Sequence, residues 1–366
     1  VGIGLIIALF LCTQTVVQAQ QTPNSQSAEA QIVSIIEDKI VTVLDKNQRY
    51  QKLKLTFTNG EFKGKTIIID HGKQPMAYTA YYKIGDEVVV SFNQDNQGKY
   101  FYYITDYVRR DSLLLLVIIF IGITLWVGKW RGVQSLIAML CSFAMIAFVM
   151  MPLLAKGYDP VLVVLGSALF LVPVTFFIAH GLHIKTLVAI GSTLLALVIT
   201  SLLALIFVQA AKLTGFSSEE AAYLQISSQQ GFNILNLLLA GMIVGVLGVL
   251  DDITIAQAAL VFQLRQTAPR LSGAQLYAKA MEIGRDHIAS MVNTLILVYV
   301  GASLPLWMLF IANPQPIKTV VNYELIATEI IRSLVGSIGL IVAVPMTTFV
   351  ATIVAFRRKE LNYESY

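Results

Sequence analysis

The sequence predicts an α-helical polytopic membrane bundle, with seven spans plus an N-terminal signal or anchor segment, and a small extracytoplasmic all-β domain of the OB or SH3 barrel kind. Three observations predict this fold class. The chain of 366 residues is 56% hydrophobic and only 13% charged, whereas a soluble domain carries about 25% charged residues. Residues 27–110 hold 12 of the 26 Lys/Arg and 10 of the 22 Asp/Glu. After them the chain is a series of charge-free apolar stretches.

Composition also excludes several classes of function. The small number of charges outside residues 27–110 excludes a soluble enzyme, a disordered chain and a nucleic-acid-binding domain. The two cysteines, Cys12 and Cys141, provide neither a disulfide framework nor a cysteine metal site. The sequence has no HExxH motif, no glycine-rich phosphate loop and no nucleophile with a base at motif spacing. We therefore expect no enzyme activity, no cofactor and no resident metal.

Residues 1–26 form the first element. Val1–Val17 is a largely apolar run that ends in Val17-Gln18-Ala19, a small-x-small pattern suited to signal peptidase, and a polar stretch follows it. The segment is therefore either a cleaved signal peptide or a retained membrane anchor. Both alternatives send the next segment to the outer side of the membrane.

Residues 27–110 form the second element, a domain of short strands. Apolar and polar residues alternate with a period of two, and turn residues such as Thr58-Asn59-Gly60 separate the runs. This pattern predicts a small antiparallel barrel. An OB barrel suggests nucleic acid, but 12 basic against 10 acidic residues give no electrostatic footprint for it. We expect instead an outer adaptor or lid that binds an envelope protein. The predicted strands are Gln31–Ile36, Tyr50–Thr58, Lys65–Asp70, Glu87–Phe92 and Tyr100–Tyr107.

Residues 111–366 form the membrane domain. At 1.5 Å of rise per residue, each of seven apolar stretches is long enough, or nearly so, to cross about 30 Å of hydrocarbon. The loops on one side of these spans carry ten Lys/Arg, and those on the side of the β-domain carry six, including Arg109 and Arg110. The positive-inside rule therefore places the β-domain outside and the C-terminus in the cytoplasm. The predicted spans are 112–128, 133–155, 160–180, 186–209, 231–250, 288–311 and 333–356.

Glycines mark one side of the span 231–250. Gly241 and Gly245 form a GxxxG repeat, and Gly248 lies beside them on the same side of the helix. Small residues at this spacing allow two helix backbones to approach closely, so we expect the glycines to pack against another helix. The alternative is a narrow pathway along the groove that they leave.

Two adjacent carboxylates, Asp251 and Asp252, follow this span. Counting 19 residues from Phe232 to Asp251 gives about 28 Å of rise, which places the pair at the cytoplasmic mouth. Asp is a favoured N-cap residue, and Ile253–Leu264 is then expected to be an amphipathic helix along the inner interface. The two carboxylates therefore either cap this helix or handle a proton or another cation.

The next span opens with a second group of polar residues. Asp286, Ser290 and Asn293 share one helix face. His287, Ser290 and Thr294 form an overlapping stripe. Polar side chains that enter a bilayer normally face the bundle interior, so this stripe is a candidate functional site. The alternative is that Asp286 complements the helix N-terminus and that Asn293 and Thr294 hydrogen-bond a neighbouring helix.

The two polar groups converge if their spans are antiparallel neighbours. A carboxylate cluster beside an imidazole can hold a shared proton near neutral pH, and it can also bind a divalent cation. The candidates for proton or ion handling are Asp251, Asp252, Asp286 and His287. The candidates for a polar lining within the membrane are Ser290, Asn293 and Thr294.

These residues carry a resemblance to a known family. The segment Gly248-Val-Leu-Asp-Asp-Ile-Thr-Ile-Ala-Gln-Ala-Ala, followed by Gly284-Arg-Asp-His-Ile-Ala-Ser-Met-Val-Asn-Thr, resembles the YibE/F family of bacterial multipass membrane proteins. The resemblance covers the whole chain, because a signal-like segment, a small outer β-domain and a helical membrane region fit that family. It implies a location in the bacterial cell membrane. It implies no particular activity, because the function of the family is not established.

A second, weaker likeness is to the permease halves of RND and SecD proteins, and it serves as analogy only. There too an outer domain precedes the bundle, and an acidic motif leads into a cytoplasmic interfacial helix. The next helix there also carries an Asn-Thr stretch. This sequence differs in having two additional spans, a far smaller outer domain and an acidic pair at the inner mouth.

Two functions follow from these observations. The first is a transporter or permease-like component, coupled to protons or to another cation. The alternative is a non-transporting assembly or regulatory protein, whose β-domain binds an envelope partner and whose polar residues only pack helices. The lipid bilayer surrounds the chain in both cases. A paired membrane subunit is a further expected partner, and nucleic acid is not one.

Overall fold

The computed structural model describes residues 26–44, 46–75, 80–94, 99–227 and 233–363. The predicted signal or anchor segment therefore lies outside the described residues. The chain divides into two compact units, residues 1–124 and residues 125–366. The first unit contains the β-domain and the beginning of the first long helix, and the second unit contains the remaining helices.

Antiparallel strands form the sheet of the first unit. They are β1 (Gln26–Val43), β2 (Lys46–Phe57), β3 (Thr66–His71), β4 (Glu87–Gln94) and β5 (Tyr100–Tyr107), in the order β3-β2-β1-β4-β5. Side chains alternate between buried and exposed along β3 and β4. Leu53, Leu55, Val88 and Val90 belong to the apolar core that this alternation creates. The prediction of a small antiparallel β-domain is confirmed.

Strands β1 and β2 are longer than predicted. β1 pairs with β2 from Ala30 to Val43, but it pairs with β4 only from Gln26 to Gln31. The far end of this hairpin is therefore a two-stranded ribbon. Ile40 and Leu44 near its turn are 73% and 78% exposed, so the ribbon presents apolar side chains to its surroundings.

The sheet is a half-barrel. Its edge strands β3 and β5 approach to within 8 Å between Cα atoms, but they share no ladder. Aromatic rings pack near these edges, with ring centroids 5.9 Å apart for Phe57 and Tyr102 and 4.9 Å apart for Phe62 and Phe92. Closure into an OB or SH3 barrel is not seen among the described strands.

The second unit is helical, and its first helix begins in the β-domain unit. The helices are α1 (Arg110–Met145), α2 (Met151–Ala155), α3 (Pro160–His180), α4 (Ile184–Ala210), α5 (Glu219–Ser227), α6 (Ile234–Thr267), α7 (Gly273–Ala302), α8 (Leu304–Ala312), α9 (Ile317–Val320) and α10 (Glu324–Tyr363). A π-helical turn, Ile146–Met150, joins α1 to α2.

By length and composition, five helical segments of the described residues are able to cross a membrane. The number becomes six if α7 and α8, which are bent by 60°, count as one broken span. Helices α3 and α4 match the predicted spans 160–180 and 186–209. The predicted spans 112–128 and 133–155 instead form one helical segment, in which Lys129 has a non-helical backbone (φ 47°, ψ −129°). The predicted count of seven spans is therefore not confirmed.

Helix α6 corrects the sequence interpretation. It runs without a break from Ile234 to Thr267, so the predicted span 231–250 and the predicted interfacial helix Ile253–Leu264 are one helix. The reason is packing: Ile253, Gln257 and Val261 are all buried, so the residues after the acidic pair continue the core-facing side of the helix. The predicted span 288–311, by contrast, is divided between two helices, which meet at Ser303, two residues before Pro305.

Helices α4, α6 and α10 form the centre of the second unit. Each packs against the other two, while α3 packs on α4 and α6, and α7 packs on α6 and α10. A Cβ atom added at Gly339 of α10 would lie 2.4 Å from Oγ1 of Thr200 on α4. This glycine therefore permits the close approach of α4 and α10.

Candidate functional site: the polar core of α4, α6 and α10

A row of threonines runs along the buried side of α4. Thr186, Thr193 and Thr200 follow one another at intervals of seven residues, and they are 0%, 0% and 3% exposed. Seven residues are about two helical turns, so the three hydroxyls lie on one face at steps of about 10 Å. In a largely apolar helix, this row brings hydrogen-bonding groups into the centre of the bundle.

The middle threonine joins α4 to α6. Oγ1 of Thr193 and Oγ1 of Thr254 share a hydrogen bond of 2.6 Å. Thr254 Oγ1 is also 3.2 Å from the backbone oxygen of Asp251. A short polar link therefore crosses the bundle at the level of the acidic pair.

Gln257 joins α6 to α7 and α10. Its Nε2 donates to the backbone oxygen of Ala280 at 3.0 Å and to Oγ1 of Thr348 at 2.7 Å. The amide fits because Gly284 of α7 has no side chain: a Cβ there would lie 3.0 Å from Nε2 of Gln257 and 2.7 Å from Cγ1 of Val344. Gln257 is completely buried, and its network fixes the spacing of three helices.

Several buried oxygens in this core have no hydrogen-bond partner among the described residues. They include Oδ1 of Asp251, Oε1 of Gln257 and the hydroxyls of Thr186, Ser192 and Thr347. Buried polar groups normally find a protein or water partner, because an unpaired group carries its full desolvation cost. Five such atoms lie on three neighbouring helices, α4, α6 and α10. Among the described residues, no group of three His, Cys, Asp or Glu side chains is placed to hold a metal ion.

Asp251 and Asp252 lie in the middle of α6 and do not cap a helix. Asp251 is 17 residues after Ile234 and 16 residues before Thr267. This position contradicts the N-cap alternative, because both residues have helical neighbours on either side. The side chains diverge: Asp251 turns its Oδ1 into the core, whereas Asp252 is exposed.

Helix α3 gives a second measure of where the pair lies. The side chain of Asn236, near the start of α6, donates to the carboxylate of Asp159, which caps α3. From Asn236 to Asp251 there are 15 residues, or about 22 Å of rise, whereas the 21 residues of α3 span about 31 Å. Asp251 therefore lies short of the far end of α3. His180, the last residue of α3, interacts electrostatically with Asp252.

The second group of predicted site residues lies on the face of α7 that points away from the other helices. Helix α7 packs through Leu276, Ala280 and Gly284, and its opposite face is exposed. Among the described residues, these exposed polar residues and the acidic pair form no group of three acidic or imidazole side chains placed to hold a metal ion, and Oδ1 of Asp251 has no partner. The exposed residues are Asp286, His287, Ser290, Asn293 and Thr294.

The predicted packing glycines are exposed as well. A Cβ atom at Gly241 or Gly248 would meet nothing within 4 Å, and one at Gly245 would meet only Oη of Tyr299 at 3.5 Å. Within the described residues of one chain, no neighbouring helix packs closely against Gly241 or Gly248, so the prediction that the three glycines pack helices together stays a prediction. Gly284 and Gly339, by contrast, permit close packing in the polar core.

Sequence reasoning missed the polar core itself. The seven-residue spacing of Thr186, Thr193 and Thr200 was a readable signal, because it repeats on one helical face. It also missed an ion pair within α10, where Nη1 of Arg332 lies 2.7 Å from Oε1 of Glu329. Charges three residues apart in an apolar helix were the available signal for that pair.

Comparison with known proteins identifies a family for both parts of the chain. A family model described as YibE/F-like protein matches residues 116–357. A second model, described as the N-terminal domain of the YibE/F family, matches residues 24–107. No curated protein and no solved structure matches the chain.

Proposed function

The chain belongs to the YibE/F family, and we propose that it is a permease-like membrane component that passes protons or another small cation through the polar core. One observation carries the proposal: Oδ1 of Asp251 is buried without a partner beside the Thr193 and Thr254 link. An ionisable residue inside a membrane helix is costly, so an unpaired one is a candidate functional site. The proposed activity involves no enzyme chemistry.

The buried atoms of the core that have no partner among the described residues are oxygens, and this supports a proton or a hard cation as the species that passes. Hydroxyl, amide and carboxylate oxygens are the ligands that such cations accept. The threonines of α4 place hydroxyls at regular steps across the bundle, and a proton can move along such a row with intervening water. A carboxylate at one level of the row, Asp251, provides the group that binds and releases the ion.

The membrane arrangement forms part of the proposal. The break at Lys129 separates residues 110–128 from residues 130–155, and 19 or more helical residues are enough to span a bilayer. With α7 and α8 as one broken span, the total is then seven. Ten Lys/Arg on one side favour a β-domain outside the bacterial cell membrane and a cytoplasmic C-terminus.

The test compares two conservative substitutions in purified protein reconstituted into liposomes. A potassium diffusion potential drives proton uptake, and an internal pH dye reports it. We expect Asp251→Asn to reduce the wild-type rate by at least about tenfold, as loss of a proton-transfer group does. Asp286→Asn is the matched control, because its carboxylate is exposed on α7, and it should retain the wild-type rate.

The proposal fails if the wild-type protein takes up no more protons or sodium ions than empty liposomes do. It also fails if Asp251→Asn and Asp286→Asn have the same rate. Size-exclusion chromatography of both variants shows whether they remain folded, so a low rate can be assigned to the missing carboxylate.

A second candidate function, a non-transporting assembly or regulatory protein, is favoured by the exposed polar face of α7. Polar side chains that face lipid are unfavourable, and membrane helices commonly cover them by association. The exposed Ile40 and Leu44 on the ribbon of the β-domain supply a surface for an envelope partner. Co-purification of a partner that requires residues 27–110 but not Asp251 would favour this function.

A further inference from the structure

The ion pair of α10 lies in a helix that is apolar enough to cross a membrane. Arg332 and Glu329 are three residues apart, and their side chains are 29% and 25% exposed. The phenol of Tyr299 on α7 interacts electrostatically with both charges. Two mostly buried charges in such a helix are costly, so the pair is a candidate functional feature.

Each member of the pair lines a different cavity. Glu329 lines a cavity of about 200 Å³ between α7, α8 and α10, together with Tyr299, Ser303 and Trp307. Arg332 lines a much smaller cavity of about 10 Å³ between α4, α6 and α10. The smaller space is about the size of a single water molecule. The bond between Arg332 and Glu329 therefore joins the boundary of one cavity to the boundary of the other.

The small cavity lies at the end of the threonine row. Thr200 and Ser201 line it with Arg332, and both are buried, at 3% and 4% exposed. Seven residues before Thr200 on the same helix is Thr193, which bonds Thr254 beside Asp251. The order along the bundle is therefore the large cavity, the ion pair, the small cavity and the polar core.

We propose that the Glu329–Arg332 ion pair is a gate that separates the polar core from the large cavity and controls the entry of a proton or small cation. The inference deepens the proposed function and rests on it. The guanidinium of Arg332 places a positive charge at the entrance to the small cavity, and such a charge repels an approaching cation. Glu329 holds the guanidinium there, so breaking the pair opens the passage.

The test measures access to the small cavity and needs no ion flux. Cys12 and Cys141, the two cysteines of the chain, are replaced by serine, and Ser201→Cys introduces a thiol next to Arg332. Labelling of this thiol by the cationic reagent MTSET is followed in detergent micelles. We expect slow labelling with the pair intact and labelling at least about tenfold faster with Glu329→Gln and Arg332→Gln together, because the barrier charge is removed.

Two controls separate a gate from general loosening. Ser192→Cys lies on the same helix and is equally buried, at 2% exposed, but it is about 13 Å of helical rise from Ser201. It should stay unlabelled in every background. The conservative pair, Glu329→Asp with Arg332→Lys, keeps the positive charge at position 332 and should again protect the thiol at position 201.

Labelling at position 201 that does not change when the pair is removed overturns the proposal. Equal acceleration at position 192 overturns it too, because the bundle as a whole would then have opened. Fast labelling in a folded conservative pair would show that the two charges do not protect the thiol, and this result also contradicts the gate. Since none of these outcomes depends on transport, failure of the gate is distinguishable from failure of the proposed function.

Discussion

At the scale of single residues, helix geometry gives two neighbouring carboxylates opposite surroundings. Asp251 and Asp252 are about 100° apart around the axis of α6. Asp251 consequently turns an oxygen into the core, while Asp252 is exposed near His180. A carboxylate without a partner in a buried position is the one whose ionisation depends most on its surroundings. The two residues are therefore expected to differ in function although they are adjacent in sequence.

A buried imidazole in the β-domain gives a pH prediction. His71 is 6% exposed, its Nε2 has no partner among the described residues, and its ring packs edge-on against Tyr82 with centroids 4.9 Å apart. Burial lowers the pKa of His71. As pH falls below about 6.5, His71 becomes protonated in the unfolded chain, whereas in the folded domain it stays neutral to lower pH. The unfolded state then binds more protons, so the stability of the domain falls with falling pH.

We expect this loss to begin as pH falls through about 6.5, with a slope of at most about 1.4 kcal/mol per pH unit. The stability of the domain at each pH is measured by hydrogen exchange of residues 26–107 in the full-length protein, with the exchange rates corrected for the intrinsic rate. Hydrogen bonds from Arg49 lower the pKa of Asp38, so that carboxyl titrates below this pH. His71→Phe should remove the slope, and a slope that survives in this variant would assign the effect to another group.

At the scale of elements, close packing of the helices depends on particular glycines. Gly339 lets α10 approach α4 at Thr200, and Gly284 lets α7 approach Gln257 of α6. Both glycines lie where the polar core crosses between helices. The polar contacts and the close backbone approach therefore depend on each other.

Gly339→Ala should destabilise the bundle. The added Cβ would lie 2.4 Å from Oγ1 and 2.9 Å from Cγ2 of Thr200, and Thr is stiff because it is β-branched. Overpacking of this kind costs about 1–3 kcal/mol. Thermal unfolding in detergent measures the change in melting temperature.

Gly241→Ala is the matched control for that substitution. Its Cβ would meet nothing within 4 Å, and alanine is favoured over glycine inside a helix by up to about 1 kcal/mol. The melting temperature of this variant should be unchanged or higher. A decrease equal to that of Gly339→Ala would show that the glycines near Gly241 are the packed ones after all.

The difference between these glycines shows how far the sequence determines the fold. Period-two alternation was enough to predict the five strands, because one face of a sheet must bury its apolar residues. The spacing of Gly241 and Gly245 shows that they share a helix face, but not which neighbour, if any, covers that face. In the same way, Asp is common at helix N-caps, yet burial of Ile253 and Val261 keeps α6 helical through Asp251. Tertiary packing decides both features, and one sequence does not contain that information explicitly.

At the scale of the whole molecule, the helical unit leaves polar and small residues on its surface. Asn293 and Ser290 are exposed on α7, and Gly241 and Gly248 are exposed on α6. Lipid offers no hydrogen-bond partner to these side chains, and small residues favour contact between helices. Arg285 and Asp286, which are adjacent and exposed on α7, carry opposite charges. If two copies meet across a twofold axis along the membrane normal, the arginine of one copy faces the aspartate of the other.

We therefore expect α7 to contact α7 of a second copy. In a variant without the native cysteines, Asn293→Cys should form a disulfide-linked dimer in native membranes after mild oxidation. Equivalent residues on two parallel helices meet across a twofold axis, and a disulfide forms where their Cβ atoms lie about 3.5–4.5 Å apart. Leu202→Cys is the control. Leu202 is 59% exposed on α4 but apolar, so lipid is a favourable environment for it and no contact with a second copy is expected there. Equal crosslinking at both positions would indicate random collision, and a dimer formed only through position 202 would place the contact on the other side of the bundle.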